Sequence, residues 1–143
     1  MIEHTLVILK PNLVGNCDVN EACRRFFDDL EIILGCELRL PLEFFKEFYG
    51  HVREPDLTRH ATFSSSGPVY VLVLRGEDVI ARVREILGKT DASQAALNSL
   101  RGYFYERYRP ENGYDNFAHA SESSYAFGRE LTLVLTWFLK HRL

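Results

Sequence analysis

Val69 to Leu74 reads Val-Tyr-Val-Leu-Val-Leu, with hardly a break in apolar character. Ser66-Gly67-Pro68 closes it in front. A run of this kind is a strand covered on both faces or lying at the centre of a sheet. It commits the chain to a layered fold, because a sheet must bury its apolar surface against another element.

The flanking segments supply partners. Thr5 to Leu9 is a second apolar, β-branched run, ended by Lys10-Pro11 because proline has no N–H for the ladder. After a loop at Gly15-Asn16, Asp18 and Glu21 have capping-box spacing. Behind them Val19, Ala22, Cys23, Phe26, Phe27 and Leu30 fall on one helical face. Ile32 to Leu40 reads as a strand containing Gly35. Pro41 opens a helical pattern with Phe45, Phe48, Tyr49 and Val52, and Pro55 breaks it before a short polar helix or loop. Beyond the central strand, Val79, Ile80, Val83, Ile86 and Leu87 have core spacing, with Gly88 just past the helix end. Ala92 to Gly102 has no clear period, Asn116 to His119 suits a short strand, and Ser123 to Leu139 a long helix. The order predicts one α+β domain over residues 1–143. Its arrangement is ferredoxin-like βαββαβ: an antiparallel four-stranded sheet with helices packed on one face.

Charge narrows the function. There are 17 basic against 20 acidic residues, for a formal net charge of −3, whereas a protein that tracks nucleic acid needs a basic excess. No apolar stretch reaches the roughly 18 residues of a membrane span, and the N-terminus lacks a basic and an apolar leader region. Cys17, Cys23 and Cys36 are odd in number and irregular in spacing, so they read as buried or partly buried free thiols. These features predict a cytoplasmic protein with no nucleic-acid or membrane partner.

Gly88-Lys89-Thr90 looks like the end of a phosphate-binding loop, but Val83 stands where that motif needs glycine, and the segment ends a helix instead of starting one. The histidines show no paired metal-ligand spacing. Asn116-Phe117-Ala118-His119-Ala120-Ser121-Glu122-Ser123 is more informative. His119 ends a strand among small residues that leave room for a bulky group. An imidazole titrates near 6.5, so its neutral, nucleophilic form is available at neutral pH. Glu130 shares a helix face with Phe127 and Val134. A carboxylate on an apolar face needs a partner, and here it can orient one ring nitrogen of His119 and leave the other free.

Several segments together resemble the nucleoside diphosphate kinase family over about residues 3 to 139. They are Thr5 to Pro11, Phe48-Tyr49-Gly50-His51, Ser66 to Val69, Arg84 to Thr90, Ser99 to Gly102, and Asn116 to Ser123 followed by Glu130. The resemblance implies transfer of the γ-phosphate of a nucleoside triphosphate to a nucleoside diphosphate through a phosphohistidine, in two half-steps. It implies that His119 is the nucleophile, that Ser121 and Glu130 hold its ring, and that Lys10 and Tyr49 belong to the catalytic site. Lys10, Arg84, Thr90, Arg101, Asn116 and Leu57 would bind the nucleotide. Magnesium is expected to arrive with the nucleotide, bridging its phosphates, with no metal ligands from the protein. The alternative is a divergent family member serving as a nucleotide-binding or regulatory module.

The chain departs from the family pattern in places. The aromatic ring expected after the tyrosine helix, where a base would stack, is missing; Leu57 or His60 stands nearest. The tyrosines between 103 and 114, Tyr105 and Tyr108 among them, are candidates to replace it. Leu97-Asn98 replaces a proline-glycine. The last helix carries Leu131, Leu133, Val134, Leu135, Trp137, Phe138 and Leu139, apolar on more than one face. A homo-oligomer is expected, with a dimer as its minimum unit and a hexamer less favoured.

Overall fold

The computed structural model describes residues 1–141. Four strands, β1 (Ile2–Leu9), β2 (Glu31–Leu38), β3 (Val69–Glu77) and β4 (Ala118–Ala120), form one sheet in the order β2-β3-β1-β4. Every pairing is antiparallel. The helices are α1 (Pro11–Val14), α2 (Val19–Phe26), α3 (Leu42–Phe48), α4 (Asp56–Ser64), α5 (Val79–Leu87), α6 (Leu100–Tyr108) and α7 (Ser124–His141). This is the expected α+β arrangement of an antiparallel four-stranded sheet with helices packed on it.

The helices cover both faces of the sheet, however, and not one. Val7, Leu9, Leu72 and Leu74 face a core completed by α2, α5 and α6 through Ala22, Val83, Leu87 and Phe104. Leu6, Ile8, Val69 and Val71 face a second core completed by α3, α4 and α7 through Phe45, Phe48, Ala61 and Val134. The reason lies in β1 and β3, the two interior strands. Successive side chains point to opposite faces, and both sets are apolar, so a single helical layer would leave one set in water.

Three local expectations change. Asp18 does occupy the N-cap of α2, but its side chain makes no capping bond. It accepts hydrogen bonds from Tyr108 and Arg107, while Glu21 accepts from Arg107 at 2.8 Å and from Tyr103. A charge-assisted bond to a guanidinium is stronger than a neutral capping bond, so the acids tie α2 to α6. The segment without a clear period includes the start of α6, capped by Ser99, whose Oγ accepts from the Gly102 N–H at 3.1 Å. Leu100 and Phe104 face the core, but tyrosines and arginines around the rest of the helix mask its period. Cys17 is exposed, not buried; Cys23 and Cys36 are partly buried, and all three are free thiols. Among the described residues, no helix is long and apolar enough to cross a membrane.

Candidate active site

The β1–β4 pairing sets Ile8 opposite His119. Chain ends converge beside it. Lys10 follows β1, Tyr49 ends α3, Arg84 lies in the last turn of α5, Thr90 follows that helix, and Arg101 opens α6. With Asn116, His51, His60, Lys89 and Glu122 these residues line one cleft of about 490 Å³.

Gly88 makes the turn from α5 into the cleft. Its φ is +84°, and a Cβ there would stand 2.6 Å from Cβ of Ser99. Only glycine fits both constraints. Phe117 takes a harder route. It is a buried ring at φ +73°, at the centre of a three-residue turn closed by the Ala118 N–H on the Asn116 carbonyl at 2.9 Å. Positive φ on a bulky residue costs about 1–3 kcal/mol. The Lys10 N–H on the Phe117 carbonyl at 2.8 Å and the packing of Phe104 and Tyr108 around the ring hold it there. The strained turn aims Asn116 and His119 into the same cleft.

The His119 ring is boxed on three sides. Phe48 meets it edge-on at 4.9 Å between centroids, and Tyr49 does so at 6.0 Å. Glu130 Oε2 lies 3.0 Å from Nε2. The carboxylate is off the line of the ring N–H, so this is a close polar contact and not an aligned hydrogen bond. Ser121, fully buried, donates to Glu130 Oε1 at 2.8 Å and accepts from the Leu6 N–H at 3.1 Å. Nδ1 of His119 has no hydrogen-bond partner among the described residues, and the residue lines the cleft.

Cations crowd the opposite wall. Lys10 is buried, with Nζ donating to Asn116 Oδ1 at 2.7 Å; Asn116 in turn donates to the Thr90 carbonyl at 2.7 Å. Burial, reinforced by the charge of Arg101, lowers the Lys10 ammonium to about 7. Burial also lowers Arg101, to about 10, and leaves it charged at neutral pH. Arg101 donates from Nη1 to the Gly88 carbonyl and from Nη2 to the Ala118 carbonyl, each at 2.8 Å, while its buried Nε has no partner. Two carbonyls thus fix the plane of the guanidinium and leave donors to spare. Arg84 is exposed at the rim and makes no ion pair or hydrogen bond among the described residues. Burial pushes the Tyr49 hydroxyl up to about 12. It lies close to Ser64, yet neither hydroxyl has an aligned hydrogen-bond partner.

Leu57 does not line this cleft. It packs with the α3–α4–α7 core, on the α4 face shared with Ala61 and Ser64. His60, one position off that face, lines the cleft instead, its ring 5.5 Å from that of Tyr49. Burial, with Lys10 and Arg59 adding to it, lowers His60 to about 4 and keeps it neutral. Tyr105 and Tyr108 are also outside the cleft, packed against the other core. His51, Lys89 and Glu122 line the cleft although nothing in the sequence pattern singled them out for a role.

Unpaired positive groups that repel one another at a concave surface are stabilised by a polyanion. A nucleophilic side chain among them makes the arrangement that of a phosphotransferase. A family model described as nucleoside diphosphate kinase matches residues 3–140. A nucleoside diphosphate kinase from Nitrosococcus oceani is 38% identical over 126 residues, covering 87% of this chain and 85% of that one. The structure of the Aquifex aeolicus nucleoside diphosphate kinase superposes with a TM-score of 0.84 at 34% identity, over 94% of this chain and 95% of that one. The Halobacterium salinarum enzyme, solved in complex with CDP, gives a TM-score of 0.81 at 30% identity, over 93% and 87%. The chain belongs to the nucleoside diphosphate kinase family. Its activity is transfer of the γ-phosphate of a nucleoside triphosphate to a nucleoside diphosphate. The comparisons lend no support to the alternative reading as a regulatory module.

Proposed function

We propose that the transfer runs through a phosphate carried on His119. The observation behind this is the orientation of its ring: Glu130 takes Nε2 at 3.0 Å, and Nδ1 has no partner on a ring that lines the cationic cleft. In the first half-step Nδ1 attacks the γ-phosphorus, the bond to the β–γ bridging oxygen breaks, and the diphosphate leaves with that electron pair. In the second, an oxygen of another diphosphate attacks the phosphorus and the N–P bond breaks. Both steps use the same positioned charges. Arg84 and Arg101 fork onto phosphate oxygens, Thr90 donates its hydroxyl, and Lys10 acts as a point charge. Asn116 holds Lys10 and the nucleotide sugar, Tyr49 closes the wall beside the imidazole, and Ser121 orients Glu130.

Magnesium fits as a companion of the nucleotide. The cleft wall is mostly cationic, and Glu122 is the carboxylate it offers, so the ion's ligands would come chiefly from the phosphates. When bound it neutralises phosphate charge. The free thiols favour a reducing compartment such as the cytoplasm.

A homodimer is the proposed minimum unit. β2 is an edge strand, and its Ile32, Ile33 and Leu34 are exposed beside Leu135 and Phe138 of α7. Leu34, Cys36, Leu38, Val71, Val134, Leu135 and Phe138 line an apolar groove between these elements. Bare edge strands and apolar patches of this kind are protected by pairing, and a second copy presents the same edge. A hexamer is less favoured, because Leu97-Asn98 stands where a rigid proline-glycine would shape the outer loop.

The deciding experiment is incubation with γ-labelled ATP. Acid-labile, base-stable label is expected on the protein and is expected to vanish in His119→Ala; persistent labelling or exchange in that variant overturns the assignment.

A further inference from the structure

Arg129 is the residue before Glu130 on α7. Its guanidinium donates from Nη1 to the Phe48 carbonyl at 2.9 Å and from Nη2 to the Glu47 carbonyl at 2.5 Å. These carbonyls belong to the last turn of α3, where the regular helical ladder ends; that of Glu47 also accepts from the Gly50 N–H at 3.1 Å. A cation there also suits the negative end of the helix dipole. A Cβ at Gly50 would stand 3.0 Å from the Glu47 carbonyl oxygen, one of the two acceptors, and only in ordinary contact with Nη2 of Arg129 at 3.9 Å.

The end of α3 is also what surrounds the nucleophile. Phe48 and Tyr49 both pack edge-on against the His119 ring, and Glu130 reaches the same ring from α7. Neighbouring residues of one helix therefore bound His119, Glu130 directly and Arg129 through α3. The body of α3 is anchored separately by Phe44 and Phe45 in the core. Loss of the guanidinium would leave the helix folded and loosen the placement of its end. Arg129 itself is not among the residues lining the cleft.

We propose that Arg129 is a positioning residue for phosphoryl transfer: by tying the carbonyl end of α3 to α7 it sets Phe48 and Tyr49 against His119 and so fixes the line along which Nδ1 meets the γ-phosphorus. This rests on the reading of His119 as the phosphorylated residue.

The test is single-turnover phosphorylation by γ-labelled ATP, followed by rapid quench across ATP concentrations. Label on His119 in the unaltered protein, lost in His119→Ala, secures the underlying reading on its own. For Arg129→Ala the limiting rate at saturating ATP is expected to fall about tenfold or more, since a misplacement of about 1 Å can cost up to about 10²-fold. The ATP concentration at half-maximal rate is expected to stay within about twofold, because uniform binding is untouched. Arg129→Lys keeps donors for both carbonyls and is expected to recover the rate to within about threefold, short of full recovery because it lacks the planar fork. If circular dichroism shows that Arg129→Ala does not fold, Arg129→Lys against Arg129→Gln decides in its place, with the glutamine variant the slower. An unchanged limiting rate in Arg129→Ala, a loss confined to ATP affinity, or a lysine variant as slow as the alanine or glutamine one overturns the inference. Absence of label on His119 in the unaltered protein would overturn it by a separate route.

Discussion

Glu130, itself buried, places Oε2 3.0 Å from His119 Nε2, and Ser121 holds the other carboxylate oxygen at 2.8 Å. The pair lies off hydrogen-bond alignment, so on the proposed route its value comes when the ring gains positive character as phosphate is added at Nδ1. Glu130→Gln keeps the volume and removes the charge. A charge-assisted contact of this kind is worth roughly 1.5–3 kcal/mol, which predicts a kcat lower by about 10- to 100-fold with KM little changed. Steady-state kinetics checks it, and a kcat within about twofold of the parent would leave Glu130 a structural carboxylate only.

Arg84 and Arg101 share the cleft but not the same surroundings. Arg84 is exposed and makes no bond among the described residues; Arg101 bridges the Gly88 and Ala118 carbonyls. Arg84→Gln is expected to lower kcat/KM by roughly 10- to 100-fold with no change in Tm, the effect of one lost charged fork. Arg101→Gln is expected to lower both, because two partly buried carbonyls lose charged donors at about 1–3 kcal/mol each. Paired kinetics and thermal melts separate the two; equal Tm values for both variants would contradict the difference.

Lys10 gives the site a pH dependence. Its folded-state value, about 7, is depressed from the ordinary lysine value of 10.5. The charged form is thus present below about pH 7 in the free protein and lost as pH rises through it, so kcat/KM is expected to fall above about pH 7. The unfolded chain binds more protons between about 7 and 10.5, so this group makes stability rise with pH across that window. Lys10→Met should abolish the alkaline limb and most activity, yet raise Tm at neutral pH by roughly 5 °C, since 1 kcal/mol is worth about 2–4 °C at this size. A Tm that falls would show that the Asn116 bond outweighs the burial of charge.

Base recognition should be loose. Leu57 is turned into the core, Tyr103, Tyr105, Tyr108 and Tyr114 lie off the cleft, and His60 is a small platform. Purine and pyrimidine diphosphates are expected to serve within about tenfold of each other, a difference of about 1.4 kcal/mol. Tyr105→Ala and Tyr108→Ala should leave that ratio unchanged. Competition assays with paired diphosphates check this, and a strong purine preference lost in either tyrosine variant would reverse it.

Assembly is the remaining prediction. Light scattering at micromolar concentration is expected to give a dimer mass, and Leu34→Lys on the exposed β2 edge to give a monomer, as a buried unpaired charge is costly. A monomer mass for the unaltered chain would remove the proposed role of this surface.

Much of the fold is legible in the sequence alone. The apolar runs at Thr5–Leu9 and Val69–Leu74, the core spacing of Val79–Leu87 and the Asn116–Ser123 segment placed the interior strands, a main helix and the short strand that carries His119, because periodicity and turn chemistry are local properties of the chain. Other features depend on partners far away in sequence, and only the tertiary structure decided them. Helices on both faces follow from how β1 and β3 lie side by side. The choice of His60 over Leu57 as a cleft residue depends on how α4 turns against α3 and α7. Asp18 and Glu21 bond to α6 instead of capping α2 because Arg107 arrives from 86 to 89 positions on. The depressed Lys10, the strained turn at Phe117 and the hold of Arg129 on α3 likewise exist only once distant segments close on one another. Local sequence sets what each segment prefers, and the long-range burial of charge and ring decides which of those preferences survive.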